Sequence, residues 1–145
     1  AQRVRVRVIG ERSGLPPNVR VAVQVIETQT ESGDGLHLNV ALNYGGRAEI
    51  VHAAREFATE CAAGRATPES LTESAFESHL WLRDEKPPDI VIRTGGESRV
   101  SNFLLWELAY AEFFFLDVLW PDFTPDTLND VIRMFRKRDR RFGGA

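Results

Sequence analysis

The chain has 145 residues, 43% of them apolar, with 18 Lys and Arg against 21 Asp and Glu. That length suits one domain burying roughly 68–70% of its unfolded surface, and the mixed composition excludes disorder, collagen-like repeats and a disulfide-stapled mini-protein. A formal net charge of −3 argues against a nucleic-acid partner, which calls for a basic face.

Positions 3–9 alternate strictly, with Arg3, Arg5 and Arg7 against Val4, Val6 and Val8, as a strand with one buried face does. This pattern follows directly on Ala1 with no initiator Met, so a fragment of a longer protein is expected. Leu15-Pro16-Pro17 turns the chain, and Pro17 suits the first turn of a helix over 19–30. A turn at 32–35 precedes a second strand over 36–42. Asn43-Tyr44-Gly45-Gly46 ends that strand and leads into a long helix over 47–63. Ile50, Ala54, Phe57, Ala58 and Cys61 lie at helical spacing there, which predicts a buried core thiol. One cysteine can form no internal disulfide.

A further helix is predicted over 72–80, with Thr72 as its cap. Pro87-Pro88 breaks the chain, and Asp89-Ile90-Val91-Ile92 reads as a short strand buried on both faces. The loop Arg93-Thr94-Gly95-Gly96-Glu97-Ser98-Arg99 follows, then a helix starting near Ser101 and an aromatic-rich strand over 112–116. Pro121-Asp122 turns the chain into a final helix over 125–138. Strands alternate with helices, so the expected fold class is α/β. It is a single domain over 1–145 with a mostly parallel central sheet flanked by helices. The longest apolar stretch, 103–120, is interrupted by Glu107, Glu112 and Asp117, each costly in lipid. A cytoplasmic domain without a membrane span is expected.

Ligands of open α/β sheets bind beyond the carboxyl ends of the strands, and two Gly-Gly loops, 43–47 and 93–99, fall there. In the second, Gly95 and Gly96 permit a tight turn whose N–H groups form an anion-binding concavity. Arg93 and Arg99 flank it with guanidinium forks suited to phosphate oxygens. Ser101 adds a hydroxyl at a predicted helix start, where the dipole favours an anion. The set suits a ligand with more than one phosphate; the plain alternative is a solvated loop in which Glu97 pairs with an arginine. Neither a Walker loop nor a dinucleotide fingerprint is present.

Glu112 sits between Ala109-Tyr110-Ala111 and Phe113-Phe114-Phe115, where a carboxylate needs a cation. A magnesium ion shared with a phosphate and a partner arginine both meet that need. A full helix over 101–110 would carry the chain about 15 Å back along the sheet. Glu112 would then lie far from Arg93, so a shared site requires that helix to be short or sharply turned. Arg133, Arg136, Lys137, Arg138, Arg140 and Arg141 crowd the last helix, where the dipole alone accounts for most of them. His37, His52 and His79 lack ligand spacing and read as structural or surface residues. Trp81, Trp106 and Trp120 read as core or interface.

Four stretches carry a resemblance: Ala41-Leu42-Asn43-Tyr44-Gly45-Gly46-Arg47, the block from Arg93 through Glu112 (RTGGESRVSNFLLWELAYAE), Leu119-Trp120-Pro121-Asp122-Phe123, and Arg140-Arg141-Phe142-Gly143-Gly144. In this order, over essentially the whole chain, they resemble the cis-prenyltransferase family (undecaprenyl diphosphate synthase-like). The resemblance implies condensation of isopentenyl diphosphate with an allylic diphosphate, such as farnesyl or geranyl diphosphate, forming cis double bonds. It implies that Arg93, Arg99 and Ser101 hold isopentenyl diphosphate and that Glu112 helps bind Mg2+. Arg141 and Gly143 match a terminal Arg-x-Gly motif that reaches the partner subunit's diphosphate site. A homodimer, an elongated apolar tunnel and peripheral membrane contact are implied as well.

One departure matters. The family's amino-terminal Asp-Gly-Asn motif, whose aspartate serves the allylic diphosphate and magnesium, is absent, and Asp34-Gly35 is followed by Leu36. No catalytic residue is therefore assigned in this chain, which alone is expected to be inactive. The residues match the family's carboxyl-terminal portion. The alternatives are a non-catalytic partner subunit of a heteromeric enzyme, and a homologue that couples prenyl groups in an irregular, branched manner. Retention of Arg93, Arg99, Ser101 and Glu112 favours the catalytic reading over the partner subunit.

Overall fold

Alternation at the amino end forms strand β1 (Val4–Ile9), and a second apolar run forms β2 (Leu36–Ala41). The two pair in parallel, with Val4 opposite Leu36 and Ile9 opposite Ala41. Parallel pairing demands a crossover, which helix α1 (Pro17–Thr30) supplies, with Pro17 in its first turn. The computed structural model describes residues 3–138, which divide into two compact units. The first comprises 3–86 with 102–104, and the second 87–101 with 105–138.

Within the first unit, α1 supplies side chains to backbone groups of β1 that β2 does not use. The Val6 N–H donates to Thr30 Oγ1 (3.0 Å) and the Val8 N–H to Glu27 Oε1 (2.8 Å). Arg12 Nη2 closes the arrangement by donating to the Val8 carbonyl (2.9 Å) and to Glu27 Oε1 (2.6 Å). Three backbone groups on that strand edge are thereby paired by side chains.

Helix α2 (Gly46–Ala62) buries Glu49, Ala53 and Phe57, spaced by four residues. The expected stripe was Ile50, Ala54, Phe57, Ala58 and Cys61; instead Ala54 and Ala58 are exposed and Cys61 is only half-buried. The buried face is rotated because Glu49 turns inward to donors described below. Helix α3 (Glu73–Glu77) starts as expected, with Thr72 Oγ1 accepting from the Ala75 N–H (3.1 Å). It is shorter than predicted and passes at Ser78 into turns. Val8, Ile9, Val23, Ala53, Phe57 and Leu80 form the core of this unit.

In the second unit, β3 (Ile90–Arg93) pairs in parallel with β4 (Glu112–Phe115). All four β3 residues are half-buried rather than enclosed on both faces. Helix α4 (Pro125–Arg136) is capped by Thr124, whose Oγ1 accepts from the Thr127 N–H (3.3 Å); its Val131 is buried, as are Leu108 and Phe114 of the same unit.

The helix expected from Ser101 is absent. Ser101, Asn102 and Leu104 have φ of +51°, +62° and +43°, a left-handed conformation that cannot start a right-handed helix. Turns follow, and then a single four-residue 3-10 helix, Glu107–Tyr110. Among the described residues, no helix is long and apolar enough to cross a membrane.

Candidate functional site

The loop after β3 gathers four of the polar residues that its sequence singled out. Arg93 ends the strand, and its Nη1 donates to the Ser101 hydroxyl (3.0 Å) and to the Arg99 carbonyl. Its Nη2 donates to one carboxylate oxygen of Glu97, and Arg99 Nη2 donates to the other. A single carboxylate thus bridges two guanidinium groups, which carry opposite charge to it and five donors each. Sequence reasoning had treated Glu97 only as one arginine's surface partner. Two arginines six residues apart with a glutamate between them were a signal for this bridge.

Gly95 and Gly96 adopt φ of +87° and +74°, which glycine reaches without a Cβ penalty. Their N–H groups do not form the expected anion concavity. Gly95 N–H donates to the Val118 carbonyl (2.9 Å) and Gly96 N–H to the Leu116 carbonyl (3.0 Å). The tight turn is spent on tying the loop to the segment after β4. The polar groups gathered at this loop are therefore side chains: the two guanidinium groups, the Glu97 carboxylate and the Ser101 hydroxyl.

The other Gly-Gly loop is also committed to architecture. Gly46 N–H donates to the Asn102 carbonyl (2.7 Å), and Arg47 N–H to Asn102 Oδ1 (2.9 Å). Asn102 thus caps the amino end of α2 from a distant point in the chain, where the N-cap residue Gly45 offers no side chain. Beside this loop, Glu49 is 1% exposed. It accepts from the Trp81 backbone N–H (2.9 Å) through Oε1 and from the Tyr44 hydroxyl through Oε2. A buried carboxylate with two such donors fixes the turn at 44–46 to the segment around Trp81. Nothing in the helical periodicity marked it, because an apolar-pattern search assigns glutamate to the solvent face.

A cavity of about 230 Å³ lies at the carboxyl end of β1, lined in part by Ile9, Gly10, Arg12, His52 and Trp81. His52 stacks on Trp81 at 5.4 Å between ring centroids. His37 pairs with Glu85 (3.1 Å), and His79 packs against Phe57. All three histidines have structural surroundings. Trp81 is half-buried, whereas Trp120 is 71% exposed and stacks on Phe123.

Glu112 opens β4 opposite Ile90, and Arg93 lies opposite Phe115. Three residues of strand, about 10 Å, therefore separate the two along the sheet. The segment between them is as short and turned as a shared site required. Parallel pairing nevertheless returns the chain to the amino end of β3 before β4 begins. The cation beside Glu112 is Arg138, which pairs with its Oε2 and lies over the Phe114 ring, 4.3 Å from its centroid. An arginine is thus one partner of Glu112.

Magnesium is usually held by one or two carboxylates together with substrate phosphates, retaining several waters. Glu112, 28% exposed with one oxygen facing Arg138, fits as one such carboxylate. Among the described residues no three His, Cys, Asp or Glu side chains gather as a metal site. Arg141 and Gly143 lie outside the described residues, so the terminal motif has no geometry here.

A family model described as "Putative undecaprenyl diphosphate synthase" matches residues 1–143. An isoprenyl transferase of Caulobacter vibrioides is 48% identical over 142 residues, covering 98% of this chain and 55% of that protein. A ditrans,polycis-undecaprenyl-diphosphate synthase ((2E,6E)-farnesyl-diphosphate specific) of Pectobacterium atrosepticum is 45% identical, covering 98% and 56%. Among solved structures, lavandulyl diphosphate synthase from Lavandula x intermedia in complex with dimethylallyl diphosphate superposes with a TM-score of 0.95. It is 38% identical, with 99% of this chain and 62% of that one covered. The chain thus spans little more than half the length of the curated relatives it matches.

Proposed function

Since the chain belongs to the undecaprenyl diphosphate synthase family of prenyltransferases, we propose that it is the carboxyl-terminal portion of an enzyme that extends a prenyl chain. The reaction joins isopentenyl diphosphate to an allylic diphosphate such as farnesyl or geranyl diphosphate, giving a cis-polyprenyl diphosphate. The observation that carries this reading is the convergence of Arg93, Arg99 and Ser101 at the carboxyl end of β3. The complex of a structural relative with dimethylallyl diphosphate supports the same ligand class.

In this reading Arg93 and Arg99 grip the diphosphate of isopentenyl diphosphate, and the Ser101 hydroxyl supplies a further donor. Gripping that end fixes where the double bond lies, and alignment with the allylic carbon is much of the work in joining two substrates. Glu112 would contribute one carboxylate toward Mg2+, which when bound stabilises the charge that grows on a departing diphosphate. A homodimer in which one copy's residues complete another's site is proposed from the family resemblance. Arg141 and Gly143 are proposed for the same bridging role, at a cytoplasmic site in peripheral contact with a membrane.

The test is steady-state kinetics of the full-length protein with Arg93→Ala and Arg99→Ala. Each removes a charge-assisted, two-pronged contact, so the KM for isopentenyl diphosphate should rise about ten- to a hundredfold. Unchanged KM and turnover in both variants would refute the anion site. Glu112→Ala should raise the magnesium concentration needed for half-maximal rate, and normal dependence would remove Glu112 from the metal site.

A further inference from the structure

The loop of Arg93 and Arg99 carries an anion of its own. One oxygen of Glu97 accepts from Arg93 and the other from Arg99, so its carboxylate spans the two guanidinium groups as two phosphoryl oxygens would. The remaining terminal nitrogen of Arg93 is committed to Ser101 and the Arg99 carbonyl, which aims the guanidinium independently of Glu97. All three charged side chains are partly solvated, at 26% for Arg93, 43% for Glu97 and 65% for Arg99. Ion pairs at such exposure are weak and exchange readily.

We propose that Glu97 is an internal stand-in for the diphosphate: it holds Arg93 and Arg99 in place and is displaced when a diphosphate arrives. The inference rests on the reading of this loop as a diphosphate site. A diphosphate brings more negative charge than one carboxylate and oxygens on two phosphorus centres, so it replaces both contacts of Glu97 at once. The returning carboxylate then competes with the bound diphosphate and speeds its release. Glu97 therefore lowers affinity while keeping the site assembled, a ligand-exchange role distinct from gripping the substrate.

The experiment measures binding of inorganic diphosphate and isopentenyl diphosphate to the full-length protein by calorimetry and stopped flow. Glu97→Gln keeps the shape and removes the charge. Its Kd for both ligands should fall about three- to tenfold, the range that two partly exposed ion pairs support, with most of the change in the dissociation rate. Glu97→Asp retains the charge but is too short to span both arginines, and should fall between the two. Weaker or unchanged binding by Glu97→Gln, with Arg93→Ala still weakening binding, overturns the stand-in role and leaves the diphosphate site intact. Equal binding by wild type and Arg93→Ala overturns the site itself.

Discussion

In the first unit, Glu49 accepts from the Trp81 backbone N–H and the Tyr44 hydroxyl, and Glu27 from the Val8 N–H as well as from Arg12. In the second, Glu97 and Glu112 face the guanidinium groups of Arg93, Arg99 and Arg138. A carboxylate bound to amides of the fold has partners that no ligand can replace without unfolding something. One bound to side-chain guanidinium groups has partners that a phosphate can take over. The same residue type is thus architecture at Glu49 and, in our proposal, an exchangeable counter-charge at Glu97.

Substitution separates the two roles, and Glu49→Ala should have the largest effect on stability. It removes a carboxylate that is 1% exposed and that accepts from the Trp81 N–H and the Tyr44 hydroxyl, and a buried group left unsatisfied costs about 1–3 kcal/mol. A total loss of about 2–4 kcal/mol in urea denaturation is expected, and a loss under about 1 kcal/mol would show that Glu49 is not architectural.

Acid should act next, through Glu27. Burial pushes its carboxyl up, but the Val8 N–H and the Arg12 guanidinium outweigh that and hold it below the ordinary value of 4.5. Its contribution to stability is therefore complete above pH 4.5 and is lost as the pH falls through the lowered value. Glu27→Gln should cost about 1–2 kcal/mol at pH 7 and flatten that part of the acid limb. An unaltered limb would place the acid sensitivity elsewhere.

Asn102→Ala removes the side-chain half of the α2 cap and a residue that tolerates φ of +62°, so about 1 kcal/mol should be lost. Asn102→Gly also lacks the side-chain acceptor but keeps the backbone freedom, so it should lose less than Asn102→Ala; the reverse order would mean that the positive φ contributes nothing. The smallest effect belongs to Glu97→Gln, which should shift stability by less than about 0.5 kcal/mol. A loss above about 1.5 kcal/mol would place Glu97 with Glu49 as architecture and erase the contrast between the units.

Much of the molecule was legible beforehand. The period-2 alternation over 3–9 and the proline and threonine at helix starts gave β1, α1 and α4 nearly at their boundaries and the start of α3, because those signals are local. The run of Arg93, Gly95, Gly96, Arg99 and Ser101 marked the loop. What each polar group does there was less legible. The glycine N–H groups bond to carbonyls of 116 and 118, and Glu97 bonds to two arginines, choices settled only when distant segments meet.

The sequence by itself determined the family, the α/β alternation and the residue types brought to the strand end, since motif order and periodicity are properties of the chain alone. Tertiary structure decided which face of α2 is buried, how the edge groups of β1 are satisfied, and that Glu112 meets Arg138 about 10 Å along the strands from Arg93. The reason is that a polar group's partner is whatever donor or acceptor folding carries to it. Strand register, and not spacing in the chain, sets that distance.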